Sequence, residues 1–219
     1  MNAGQTCVAP DYLLVQANIK QAFLKHFKAA VQRFYGDNPQ ESPDYPRIVN
    51  QQHFNRLAAL LNDGTVFHGG QTDAEERYIE PTVLIDVLPD SQIMQEEIFG
   101  PILPVFTFDD IPQALRMVEK YPKPLSFYIF TNNHEMEEKF IRSCSFGGGV
   151  VNDVVTHLGN HHLPFGGVGA SGMGSYHGKH SFDTFSHIKS IMKKSFWLDI
   201  PFRYAPYKGK LKWIKKILK

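Results

Sequence analysis

The chain has 219 residues, enough for one large domain or a domain with an appendage, and its 42% hydrophobic and 21% charged residues match an ordinary soluble globular protein. A formal net charge of +1 gives no global pull toward nucleic acid. Its two cysteines, Cys7 and Cys144, form neither a disulfide framework nor a metal-type spacing and favour a reducing, cytoplasmic setting, while no apolar run reaches the ~18 residues of a membrane span and the start lacks the pattern of a signal peptide.

Residues 12–16 form a short apolar run that predicts a strand. Asn18 is placed to cap a helix running to Tyr35, because Ile19, Ala22, Phe23, Phe27, Ala30, Val31 and Phe34 follow the helical period and Gly36 supplies a stop. A loop rich in Pro, Asp and Asn leads to a second helix over 50–61, ended by Asn62-Asp63-Gly64. Residues 82–87 and 102–108 predict buried strands, 111–120 a helix closed by Tyr121-Pro122, 125–131 a strand, 133–144 a helix and 149–152 a short strand. This alternation predicts an α/β fold with a mainly parallel sheet flanked by helices. Residues 157–178 are rich in Gly and His without period. Residues 187–194 alternate weakly, as an edge strand does. After Asp199 the chain carries no acidic residue, and Leu211, Ile214, Ile217 and Leu218 lie among lysines as in a short cationic amphipathic helix.

Cys7 sits in Asn2-Ala3-Gly4-Gln5-Thr6-Cys7, among small and polar neighbours. A lone cysteine is more often an inert small hydrophobe than a nucleophile, but Gly4 permits the close backbone approach that an oxyanion pocket needs. A second cluster is Gln95-Glu96-Glu97-Ile98-Phe99-Gly100-Pro101. It is either a loop with a solvated charge pair or a site where a carboxylate accepts hydrogen bonds from ribose hydroxyls. Gly167 to Gly172 spells G-x-G-x-x-G, but no apolar strand leads in and no acidic residue follows at ~20 positions, so a pocket-lining loop presenting Phe165 is the better reading. His157, His161 and His162 lack partner ligands at metal spacing, and no metal site is expected. Cys144 is expected to be a buried structural thiol.

Taken in order, Asn2-Ala-Gly-Gln-Thr-Cys7, Glu96-Glu-Ile-Phe-Gly-Pro101 and Pro164-Phe-Gly-Gly167 resemble the aldehyde dehydrogenase superfamily. The stretch from Leu163 to His187 resembles its class 3 and fatty aldehyde dehydrogenase branch. The resemblance runs from Met1 to about Lys194. It implies that Cys7 attacks an aldehyde carbon to give a thiohemiacetal and then a thioester, with its own backbone N–H in the oxyanion hole. Glu97 would hold the ribose of an NAD or NADP nicotinamide and Phe99 would pack beside it, while Phe165, His157 and His161 would line an aldehyde tunnel. The substrates would be medium- or long-chain or aromatic aldehydes.

The resemblance also implies a partition into a catalytic domain over 1–186, a strand over 187–195 that pairs with a second subunit in a homodimer, and a basic tail over 196–219. In such enzymes the dinucleotide-binding half, the oxyanion-hole asparagine and the general-base glutamate lie upstream of the cysteine. The chain is therefore expected to match the C-terminal half and to lack dehydrogenase activity by itself. Two alternatives stay open: a non-catalytic interaction module, and a thiol esterase that needs no cofactor. The basic tail is open to three readings: a solvated helix, a lid over the tunnel, or a peripheral contact with a membrane surface.

Overall fold

In the computed structural model, which describes residues 1–197, 199 and 201–217, the chain divides into two compact units, Met1–Thr184 and Phe185–Lys219. The first opens with a tight turn over Asn2–Gly4 and strand β1 at Leu13–Gln16. Helix α1 spans Lys20–Tyr35 and ends on Gly36, whose φ of 79° is easy for glycine. The expected cap at Asn18 does not form. The chain first winds a 3-10 turn over Ala17–Ile19, so the helix starts at Lys20 behind Ile19, with no capping side chain. Helix α2, Gln51–Leu60, starts where Asn50 accepts a hydrogen bond from the His53 N–H at 2.8 Å.

Strand β2, Thr65–His68, and the pair β3, Thr72–Asp73, and β4, Tyr78–Ile79, follow. None of the three was expected: β3 and β4 have two residues each, and β2 exposes most of its residues and so lacks an apolar alternation. Next come β5, Thr82–Ile85, β6, Ile102–Phe108, helix α3, Ile111–Glu119, strand β7, Ser126–Ile129, helix α4, His134–Ser143, and β8, Gly148–Val151. The main sheet runs β1-β6-β5-β2. β6 is parallel to both β1 and β5, and β2 pairs antiparallel with β5, so the sheet is mixed, with two of its three pairings parallel. Pro104, which lacks an N–H, is tolerated in central β6 because the pairing with β1 begins one residue later, at Leu13↔Val105. β7 and β8 form a separate parallel pair joined through α4.

The strand period of two places alternate residues on opposite faces. Val83 and Val105 pack with Val15 and Leu24 of α1, whereas Leu84 and Phe106 join Phe54, Leu57 and Leu60 of α2 with Ile93 and Ile98. The sheet is thus covered on both sides, and Ile98, from the Glu96–Gly100 motif, is itself part of the core. A third cluster joins Ala3, beside the cysteine turn, to Tyr45 and Tyr78.

Helix α5, Gly178–Thr184, closes the first unit. In the second unit, residues 187–195 form no strand and are exposed throughout. The weak alternation does not suffice for a strand, because residues 187–195 find no ladder among the described residues. Helix α6 covers Leu211–Ile217, with Leu211 and Trp213 exposed. Leu218, assigned to the amphipathic tail by its sequence, lies outside the described residues. Among the described residues, no helix is long and apolar enough to cross a membrane.

Candidate active site

Cys7 stands exposed on a turn closed by the Ala9 N–H donating to the Thr6 carbonyl at 2.9 Å. The turn is anchored from below by side chains that are anything but exposed. Gln5 is buried and donates to the Arg47 carbonyl at 3.1 Å while accepting from the Val49 N–H at 3.0 Å. Val8, directly after the cysteine, has no exposed surface, and its carbonyl accepts from the Tyr128 hydroxyl at 2.7 Å. The Cys7 thiol is therefore presented to solvent by a backbone fixed on both sides.

The Glu96–Gly100 segment meets this turn backbone to backbone. A Cβ on Gly4 would lie 2.2 Å from the Gly100 carbonyl oxygen, so only glycine allows the approach. Asp11, four residues after Cys7, accepts from the Ile98 N–H at 2.8 Å. Burial pushes the Asp11 carboxyl up to about 6, against the lowering effect of that hydrogen bond. Arg56 grips the other side, with contacts to the Ile98 carbonyl at 2.5 Å, the Glu97 carbonyl at 3.4 Å and the Glu96 carboxylate at 3.2 Å. His53 lies 3.2 Å from the Phe99 carbonyl. These contacts hold Phe99 at a φ of 52°, where a bulky residue is strained. Glu97 is left exposed beside Phe99, with a pKa raised by the partial burial of its carboxyl and pulled back by Arg56.

Phe165 and His157 are both buried and lie against each other with ring centroids 5.9 Å apart. Paired backbone hydrogen bonds to Tyr176 at 3.0 and 2.9 Å fix Phe165, whose ring also stacks on His177 at 6.0 Å. His157 lies 6.0 Å from the Tyr128 ring and 3.3 Å from the Ser126 hydroxyl, while its Nδ1 is buried with no protein partner. His161 is exposed and reaches this group only through His177, ring to ring at 5.8 Å. The glycine-rich stretch folds on itself: the Val168 N–H donates to the Ser171 hydroxyl at 2.9 Å, and a Cβ on Gly167 would meet the Ser171 carbonyl at 2.1 Å. Among the described residues, His157, His161 and His162 form no group with converging ligand atoms; the group that does, His134, Glu137 and Glu138, lies on α4, where Glu138 already pairs with Arg142. Cys144, expected to be buried, is half-buried at the end of α4, and desolvation raises its thiol pKa.

The structure thus links Cys7 to Glu97 and Phe99 through Gly4, Asp11 and Gly100, and to His157 and Phe165 through Val8 and Tyr128. The motif spacing did not point to Gln5, Asp11, His53, Arg56 or Tyr128. Their contacts are mostly long-range, and no local pattern marks them.

The α/β fold thus presents an exposed cysteine on a fixed turn, between a segment bearing a carboxylate on one side and an aromatic cluster on the other. The aldehyde dehydrogenase family profile matches residues 1–191, and the chain belongs to that family. Its similar relatives include class 3 members. It is 52% identical over 220 residues to 4,4'-diaponeurosporen-aldehyde dehydrogenase of Staphylococcus aureus, covering 100% of this chain and 48% of that protein. It is 47% identical to aldehyde dehydrogenase family 3 member H1 of Arabidopsis thaliana, covering 99% of this chain and 46% of the relative. The solved substrate-bound state of Staphylococcus aureus AldH superposes with a TM-score of 0.87 at 52% identity, covering 99% of this chain and 48% of that one. The chain spans about half the length of the curated relatives it matches.

Proposed function

We propose that the chain is the cysteine-bearing part of an NAD(P)-dependent aldehyde dehydrogenase that converts medium- or long-chain or aromatic aldehydes to carboxylic acids. The observation that carries this reading is the backbone contact at Gly4 and Gly100, which sets an exposed Cys7 next to the segment bearing Glu97 and Phe99. The Cys7 sulfur bonds to the aldehyde carbon while the carbonyl electron pair moves onto oxygen, where the Cys7 N–H faces the charge. NAD or NADP, where bound, supplies the hydride acceptor. Water then cleaves the thioester on Cys7, releasing the acid and restoring the thiol.

The residues present fit such a cofactor: Glu97 offers an exposed carboxylate for the nicotinamide ribose hydroxyls, and Phe99 offers a ring held in place by its strained backbone. On the other side, Phe165 and His157 would form the wall of the aldehyde site and His161 its outer edge. The 4,4'-diaponeurosporen-aldehyde named for the Staphylococcus relative supports an apolar substrate.

Residues 187–195 would pair as a strand with a second subunit in a homodimer. Exposed Ile188, Ile191 and Met192 support that role. The tail over 196–219, with its run of lysines and exposed Trp213, would sit at an anionic membrane surface as a peripheral contact of a cytoplasmic enzyme.

The test is aldehyde-dependent formation of NADH or NADPH by the chain supplied together with the N-terminal portion of a class 3 relative. Turnover should vanish in Cys7→Ser. Turnover that survives this change contradicts the reading.

A further inference from the structure

We infer that Tyr128 is a positioning residue for Cys7, tying the turn that carries the thiol to the loop that carries His157. The inference rests on the reading of Cys7 as the nucleophile. Tyr128 stands on β7, 120 residues from Val8 in sequence, yet its hydroxyl donates to the Val8 carbonyl at 2.7 Å. The neighbouring Ala9 N–H, on the same peptide plane, donates to the Thr6 carbonyl at 2.9 Å. That plane, one residue beyond Cys7, is held at both ends, at its oxygen by Tyr128 alone among the hydrogen bonds of the described residues.

Tyr128 also lies against the loop that carries His157. Its phenol lies within electrostatic reach of the Val155 N–H and the Ser126 hydroxyl, and its ring lies 6.0 Å from His157. Val155 has a φ of 67° and ψ of −32°, a conformation that a β-branched side chain holds only when its surroundings impose it. The strain lies one residue before Thr156-His157, in the loop that Tyr128 touches. A phenol that donates to one loop while its ring packs against His157 in the other ties the two together.

The bond to Tyr128 keeps the negative end of the Val8 peptide occupied. Without the hydroxyl, that buried oxygen has no donor, and the turn that carries the thiol loses the bond that ties it to β7. Tyr128 is also close enough that a Cys7 thiolate adds to the burial that already raises the phenol's pKa.

The experiment follows alkylation of Cys7 by iodoacetamide across pH, with peptides resolved so that Cys144 serves as an internal control. Tyr128→Phe should slow the alkylation of Cys7 at least about threefold and leave that of Cys144 unchanged. An unchanged Cys7 rate in a folded variant overturns the inference. If Tyr128→Phe does not fold, the unmutated chain supplies the reciprocal test by NMR of labelled tyrosine rings. Replacing the Cys7 thiolate with a neutral thioether should lower the titration midpoint of one tyrosine, and no tyrosine moving overturns the inference. Failure of the nucleophile reading would look different: Cys7→Ser would keep full turnover, whatever Tyr128 does.

Discussion

The cysteine turn and the segment after Thr184 solve opposite problems with similar materials. Around Cys7, a short irregular stretch is tied into the chain by the Gln5 side chain on the Val49 N–H, by Asp11 on the Ile98 N–H, by Tyr128 on the Val8 carbonyl and by the close approach of Gly4 to the Gly100 backbone. These ties hold the irregular stretch in place although the buried Thr6 hydroxyl has no partner among the described residues. Residues 188–197 carry comparable apolar side chains, yet Ile188, Ile191, Met192, Phe196 and Trp197 are each at least 71% exposed. The first region is organised by this chain's own contacts, whereas the second leaves its apolar side chains exposed, where the proposed second subunit would cover them.

The sharpest way to break that contrast is at Gly4. Gly4→Ala adds a Cβ against the Gly100 carbonyl at a φ of 73° and should cost about 3 kcal/mol, seen as a fall in the urea midpoint. The Asp11 link should contribute a pH dependence. Its folded pKa of about 6 lies above the usual carboxylate value, so the folded state holds the proton more tightly. Stability should therefore be greatest below about pH 4 for this group and decline by about 3 kcal/mol as pH rises through and beyond 6. Asp11→Asn keeps an acceptor for the Ile98 N–H and removes the buried charge. It should flatten that decline and raise the melting temperature at pH 7, measured by thermal unfolding at several pH values. Tyr45 supports the turn at second hand, packing with Ala3 and donating to the Ile79 carbonyl at 2.7 Å. Tyr45→Phe should cost about 1 kcal/mol in equilibrium unfolding. In the second region, Ile188→Asp with Ile191→Asp should change the unfolding free energy of the monomer by less than about 0.5 kcal/mol. The same pair should weaken self-association measured by sedimentation, and a large loss of monomer stability would erase the contrast between the two regions.

The sequence announced whatever is local. Asn50 and Asn133 each cap the helix predicted to start there, and Gly36 ends α1, because capping depends on a side chain and a backbone only a few residues apart. The strands β5 and β6 were legible from their apolar runs, while β2 and the β3–β4 pair were not, being short and largely polar or exposed. Asn18 misled because a 3-10 turn intervened where propensity favoured a cap. Of the site, Cys7, Glu97 and Phe99 stood out through motifs, and the structure joins their segments. Arg56 and Tyr128 were invisible for a physical reason: each acts on a backbone carbonyl more than 40 residues away, and carbonyls carry no sequence signature. His161 was grouped with His157 by proximity in sequence, but the loop turns one inward and leaves the other exposed.

The central claim is that the chain's own fold makes Cys7 the reactive thiol. The direct measurement is to expose the chain to a nitrophenyl ester of a medium-chain acid and map the acylated residue by peptide mass spectrometry. The account predicts an acyl group on Cys7, none on half-buried Cys144, and no adduct in Cys7→Ser. Acylation of Cys144 to the same extent as Cys7, or an untouched Cys7, would contradict it.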